Sequence, residues 1–338
     1  MITHTKETVG IASIGCHIPA GTITSAEIAE AAGLPMEVLT EKIGMQRKPI
    51  AGAEETPSLM AADAARKALV KAGLHPHDLH IIISCGAAPQ DFLHWSTAGK
   101  LQHMLGATNA FAFDVSNGCN GLNLGMQVAK EMLLGNSAYS HALVVTADKY
   151  SAFLNYSRVD DLSLFHLSDA AAAVILKKNE TTNRFVSYYQ ITEGSYSDQV
   201  RISAGGSAKP CSGENHCRQT FSVEDPAELS RLLTEVYLKN YIQAIRKALE
   251  IGGYQEEDIS YLLTNQVKLS TIKAILEAFG LPESRTLRSI ADHGHMGGAD
   301  TAYGLSRLLE EKRIDLGDLV VLASSATGFS WAATVLQF

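Results

Sequence analysis

Cys119 sits in Asp114-Val-Ser-Asn-Gly-Cys119-Asn-Gly121, after the apolar run Ala110 to Val115 and before a helical stretch from Leu122 to Leu134. The layout reads as strand, sharp glycine turn and helix, with a thiol at the helix N-terminus. That end of a helix carries partial positive charge and unpaired N–H groups, both of which favour a thiolate. The chemistry such a cysteine supports is nucleophilic attack, with the sulfur as leaving group of a second step. A free cysteine is also a common small buried hydrophobe, and the turn by itself leaves both readings open.

An internal repeat supplies possible partners. Arg66-Lys67-Ala68-Leu69, Gly73 and Asp78 recur at an offset of 180 as Arg246-Lys247-Ala248-Leu249, Gly253 and Asp258. Each copy reads as a helix closed by glycine, a polar turn and an apolar strand, Leu79 to Ser84 in one and Ile259 to Thr264 in the other. Leu143-Val144-Val145 and Ala147 recur at an offset of 176 as Leu319-Val320-Val321 and Ala323. Blocks repeating in order mark a duplication, and helices alternating with β-branched strands mark each copy as α/β. The polar connector at 177–186 predicts an N-terminal half, 1–180, carrying the cysteine and a C-terminal half, 181–338. Carried across the repeat, Cys119 falls on His295, in Asp292-His-Gly-His295-Met-Gly-Gly298, and Cys85 falls on Asn265. A thiol, an imidazole and a carboxamide are thereby expected to converge at strand C-termini, where α/β sites lie.

The remaining composition narrows the classes. The chain has 338 residues, 46% hydrophobic and 19% charged, enough for a large core. A net charge of −8 without a basic run excludes general nucleic-acid binding. No run of about 18 apolar residues suggests a membrane span, and Met1 to Gly10 lacks a signal-peptide core, so a cytoplasmic location is expected. Five scattered cysteines are no disulfide framework. Cys211, His216 and Cys217 match no standard zinc spacing and read as a loop; His75, His77 and His80 read as solvated. Asp160-Asp161 and Glu310-Glu311 read as solvated helix ends or loops, and Trp95 and Trp331 as packing residues.

On these residues the chain resembles the thiolase superfamily, and within it the β-ketoacyl-acyl carrier protein synthase III enzymes. The likeness runs over essentially the full chain: Val9 to Gly15, Thr40 to Ala51, the Cys119 turn, Ser168 to Val174, Leu263 to Leu269, His293 to Ala299, and Ala326 to Trp331. It implies a five-layered αβαβα fold and a dimer, homomeric or mixed. Asn265 stands where these synthases carry histidine, and His295 where they carry asparagine. The order Cys, Asn, His is that of thiolases, whose second cysteine has no match among Ser324, Ser325 and Ala326. Val38, Lys42 and Gln46 fall where synthase III binds coenzyme A, with Lys42 the remaining cation. His94 falls where a partner's acyl pocket is reached, beside Phe329. Of the glycine-rich loop before Phe329, only Gly328 is kept.

The resemblance implies an acyltransferase that binds no permanent cofactor. Acyl-coenzyme A or an acyl carrier protein bearing a phosphopantetheine thioester would deliver the acyl group to Cys119. The N–H groups of Cys119 and Gly328 would form the oxyanion hole. His295 and Asn265 would hold the enolate of a malonyl-type unit for a decarboxylative Claisen condensation in a specialised biosynthetic pathway. Two alternatives stay open: acyl transfer to an alcohol or amine with His295 as base, and a poorly active partner subunit of another synthase.

Overall fold

The computed structural model describes residues 7–211 and 219–338, so His216 and Cys217 lie outside the described residues. The chain runs through β1 (Val9–His17), β2 (Thr22–Thr24), α1 (Ser25–Ala32), β3 (Arg47–Pro49), α2 (Pro57–Ala72), β4 (Ile81–Ser84), α3 (Thr97–Leu105), β5 (Phe111–Asp114), α4 (Gly121–Gly135), β6 (His141–Asp148) and β7 (Ala170–Lys178). It continues through β8 (Arg184–Thr192), β9 (Val200–Ile202), β10 (Phe221–Val223), α5 (Pro226–Glu235), α6 (Tyr237–Gly252), β11 (Ile259–Thr264), α7 (Leu269–Ala278), α8 (Ile290–His293), α9 (Ala299–Glu310), β12 (Leu319–Ala326) and β13 (Ser330–Gln337).

Nine strands pair in the order β11-β12-β13-β8-β1-β7-β6-β4-β5. The order divides at the junction of β1 and β8, which meet through one antiparallel pair, Gly10 with Arg184. On one side lie β5-β4-β6-β7-β1, on the other β11-β12-β13-β8. The second half-sheet repeats the first without an equivalent of β5. In each, the pair of β4 with β6 or of β11 with β12 is parallel, and the pairs between it and that junction are antiparallel.

The pleat sorts side chains into layers, because successive residues of a strand point to opposite faces. In β6, Leu143, Val145 and Ala147 pack with α2 and α3, whereas Ala142 and Val144 pack with α4 and α9. In β12, Val320 and Leu322 join that same central cluster, while Leu319, Val321 and Ala323 face α5, α6 and α7. The result is helix, sheet, helix, sheet, helix, with α4 and α9 as the middle layer. Such strands are buried on both faces, which is why they read as continuous apolar runs.

Pairing also corrects the repeat. Ser84 pairs with Val145, and Thr264 with Ala323. This puts β12 two residues further along than the matching of Leu143-Val144-Val145 to Leu319-Val320-Val321. A shift of two keeps every side chain on its face, so the sequence pattern does not reveal it. The starts of α4 and α9, Gly121 and Ala299, carry the same shift, and the strict counterpart of Cys119 is Gly297, two residues past His295. Two smaller expectations change as well. Strand β4 starts at Ile81 rather than Leu79. Asp161 is buried rather than solvated, accepting the Val223 N–H at 2.8 Å and pairing with Arg158 at 3.2 Å.

Candidate active site

The turn after β5 leads into one 3-10 turn, Gly118–Asn120, and directly into α4. Cys119 thus stands at the N-terminus of a middle-layer helix, with only 8% of its surface exposed. The turn between β12 and β13 closes over it from the other half-sheet: a Cβ on Gly118 would come within 2.9 Å of the Ala326 Cβ and 3.4 Å of the Thr327 carbonyl oxygen. A side chain at position 118 would push that turn away. Gly328 lies in this turn and Phe329 just past it, buried against Tyr196 and Trp331.

His295 precedes α9 and is pinned on several sides. Its backbone N–H donates to the His166 carbonyl at 2.8 Å, and its carbonyl accepts the Ser168 N–H at 2.9 Å. Its Nδ1–H donates to Asp300 Oδ2 at 2.5 Å. Asp300, in the first turn of α9, also accepts the N–H groups of Gln266 at 2.7 Å and Met296 at 3.0 Å, so the carboxylate is fixed by three donors. With Nδ1 committed to Asp300, Nε2 is the ring's remaining nitrogen, and the two tips adjoin: a Cβ on Gly298 would lie 3.5 Å from the Cys119 carbonyl oxygen. Burial opposes a charged ring, but the Asp300 carboxylate and Cys119 outweigh it and raise the imidazole to about 10. That direction favours the protonated ring.

Two residues brace this tip. The ring of His166 stacks on that of His295, with centroids 5.5 Å apart and planes within 14°. Burial, and then the charges of His295 and Lys48, hold His166 well below the usual histidine range, so it is neutral. Lys48 is fully buried and donates to the carbonyls of Phe165 and Leu167 at 2.6 and 2.5 Å, tying down the segment that His295 bridges.

Asn265 follows β11 and is also buried, but its amide is engaged. Nδ2 donates to the carbonyl and hydroxyl of Ser325, both at 3.2 Å, and Oδ1 accepts the Tyr241 hydroxyl at 2.8 Å. Tyr237 bonds to the Ser325 hydroxyl beside it. The structure thus brings the Cys119 and His295 tips together, fixes His295 to Asp300, and holds the Asn265 amide in hydrogen bonds to Ser325 and Tyr241. His94 and Lys42 are exposed, His94 in the loop before α3 and Lys42 on the turn at Val38–Ile43. Neither makes a contact within this chain that joins it to Cys119 among the described residues.

Sequence reasoning missed Asp300 and Tyr150, whose hydroxyl lies 3.6 Å from the Cys119 sulfur. The signal for Asp300 was an acid five residues past the histidine, at a helix start; nothing in the sequence marks Tyr150. Among the described residues no three His, Cys, Asp or Glu side chains form a metal site, and no helix is long and apolar enough to cross a membrane.

A layered, internally repeated α/β fold with a cysteine at the N-terminus of one middle helix and a histidine before the other defines a member of the thiolase superfamily. Residues 113–194 match the family described as 3-oxoacyl-[acyl-carrier-protein] synthase III, and residues 249–338 match its C-terminal family. A β-ketoacyl-[acyl-carrier-protein] synthase III of Sphingopyxis alaskensis is 30% identical over 325 residues, covering 96% of this chain and 97% of that protein. The chain belongs to the synthase III family of condensing enzymes. Among solved structures, the 3-oxoacyl-[acyl-carrier-protein] synthase III of Aquifex aeolicus has a TM-score of 0.86 at 24% identity, covering 98% of this chain and all of that one. A structure of Xanthomonas campestris OleA with bound lauric acid and lauroyl-CoA has a TM-score of 0.84 at 22% identity, covering 98% and 99%. These two likenesses concern the fold.

Proposed function

We propose that this chain is an acyl-thioester condensing enzyme working through an acyl-Cys119 intermediate. The observation that carries the reading is the meeting of two buried tips, one bearing Cys119 at a helix N-terminus and the other bearing His295 bonded to Asp300. The Cys119 thiolate adds to the thioester carbonyl, and the N–H groups of Cys119 and Gly328 take up the charge on oxygen. The carbon–sulfur bond to the carrier breaks, and His295 Nε2–H protonates the departing thiolate. Acyl-coenzyme A or an acyl carrier protein supplies the acyl group, and no permanent cofactor is needed. In the second half, His295 Nε2 takes up a proton from solvent, a malonyl-type thioester loses carbon dioxide, its enolate oxygen is held by His295 Nε2–H and the Asn265 amide, and its carbon attacks the acyl group, breaking the bond to Cys119 and returning the thiolate. The reading includes a cytoplasmic dimer, a specialised biosynthetic role, and His94 of one protomer lining the other's acyl pocket beside Phe329, with Lys42 at the coenzyme A entrance.

One observation favours a second reading for that second half. His295 is paired with a carboxylate, and the Asn265 amide is already bonded to Ser325 and Tyr241. Cys119, His295 and Asp300 then act as a nucleophile–base–carboxylate triad. Once the carrier thiol has left with its proton, neutral His295 accepts the proton of an alcohol or amine, which attacks the acyl group. Intact-protein mass spectrometry with a panel of acyl thioesters tests the shared first half. An acyl mass gain on wild type but not on Cys119→Ala supports it; no gain with any donor overturns it and leaves a poorly active partner subunit. Chasing the adduct with malonyl thioester, alcohols or amines separates the two second halves.

A further inference from the structure

We propose that Tyr150 is a second hydrogen-bond donor to the Cys119 sulfur, acting with His295 to hold the thiolate. The inference rests on Cys119 being the nucleophile. Tyr150 follows β6, and its ring is buried against Phe221 at 6.0 Å. The hydroxyl stands 3.6 Å from Cys119 Sγ, within the range of a hydrogen bond to sulfur. A thiolate has no proton to give, so the phenol is the donor.

The opposite tip is shaped around this hydroxyl. Gly297, with φ of 60°, approaches so closely that a Cβ there would lie 2.6 Å from Tyr150 Oη and 3.2 Å from Asp148 Oδ2. Any side chain at position 297 would drive the phenol off the sulfur. The glycine that is the strict counterpart of Cys119 in the second half thus makes the room that Tyr150 occupies.

The electrostatic surroundings keep the phenol protonated. Burial comes first, then the Asp148 carboxylate, the neighbouring Cys119 and the Asp300 carboxylate; together they raise Tyr150 well above the ordinary tyrosine range. Asp148 is fixed by the N–H groups of Ala87 and Ala88 at 2.6 and 2.7 Å. Tyr237 and His295 are the other titratable groups that sense Cys119. Tyr150 is therefore neither a base nor a proton source: the proton for the departing carrier thiolate comes from His295. Its contribution is to the charge on sulfur, which disappears when the sulfur is acylated.

The test is the pH dependence of iodoacetamide alkylation at Cys119 in the full-length protein, followed by peptide mass mapping. A hydrogen bond to a charged group lost in Tyr150→Phe should raise the alkylation midpoint by about one to two pH units. Replacing Tyr150 with 3,5-difluorotyrosine, a more acidic phenol and stronger donor, should lower it. A purely structural role predicts no such opposition of sign, and the fluorinated protein covers the case in which Tyr150→Phe fails to fold. A midpoint unmoved in either variant with its fold intact overturns the proposal. Because iodoacetamide needs no acyl donor, the two readings fail separately. Shifted midpoints without thioester acylation would sink the acyl-enzyme and keep Tyr150; acylation with unmoved midpoints would do the reverse.

Discussion

The tips that lead into the two middle-layer helices are built to opposite standards. Before α9, His295 is held by its backbone N–H and carbonyl, by Asp300 on Nδ1, by the stacked His166 ring and by the Lys48 strap. Before α4, the Cys119 sulfur has one hydrogen-bond partner among the described residues, the Tyr150 hydroxyl. Under the proposed function, the difference suits the part each group would play. A base works at one angle and in one tautomer, so restraint raises its efficiency. A nucleophile must swing into a carbonyl and then carry an acyl chain, so it needs stabilised charge and freedom of position.

Breaking the restrained tip gives the largest expected effect. Asp300→Asn removes the carboxylate that orients and charges His295 and should slow acylation of Cys119 by about 10²–10⁴-fold in stopped-flow assays with a reactive thioester. The same variant has a pH signature. His295 is raised from 6.5 to about 10 by folding, so the pair's stabilisation is fully present below pH 6.5 and is lost as pH rises through about 10. The difference in denaturant stability between wild type and Asp300→Asn should therefore shrink across that window; a difference constant with pH would mean the pair is uncharged.

Asn265→Ala sharpens the comparison. If its amide leaves Ser325 and Tyr241 to hold an enolate, condensation with a malonyl thioester should fall by about 10²–10³-fold while acylation by the first thioester is spared. A fall shared equally by both half-reactions would assign Asn265 to support of the β12 end alone. The smallest catalytic effect is expected from Lys48→Met, which strands the carbonyls of Phe165 and Leu167. It should cost about 2–4 kcal/mol in urea titrations, since each unpaired buried carbonyl costs about 1–3 kcal/mol, and should leave the alkylation of Cys119 largely intact. Loss of His295 function without loss of stability would show the strap to be part of the chemistry.

How much of this was legible in the sequence depended on whether the signal was local. The strand-turn-helix around Cys119 was, because apolar run, glycine and helix follow one another directly. Strand β11 has the bounds its β-branched and aromatic residues predict, Ile259–Thr264. His295 was reached through the repeat, and landed near its target although the register is off by two, since that shift preserves facing. Asp300 was not legible as a partner: an acid in the first turn of a helix is adequately explained by the helix dipole, and only the approach of β11 places Gln266 and His295 on its oxygens. Lys48 lies in Gln46-Arg47-Lys48-Pro49, a segment as polar as any surface turn, and its burial is set by chain more than a hundred residues away. Asn265 was placed at the right tip, but the groups that occupy its amide come from α6 and β12.

The shared middle layer has a consequence for how the molecule becomes reactive. Cys119 is synthesised long before His295, and the two meet only when the later half-sheet and α9 have docked on the earlier one. Contacts of such high sequence separation form late and slowly, and chains of this size fold through partly assembled states. In those states Cys119 lacks both the His295 tip and the turn that closes over Gly118. On the proposed function, the groups that would support Cys119 as a nucleophile are assembled only by completion of the fold, and a chain released unfinished lacks them.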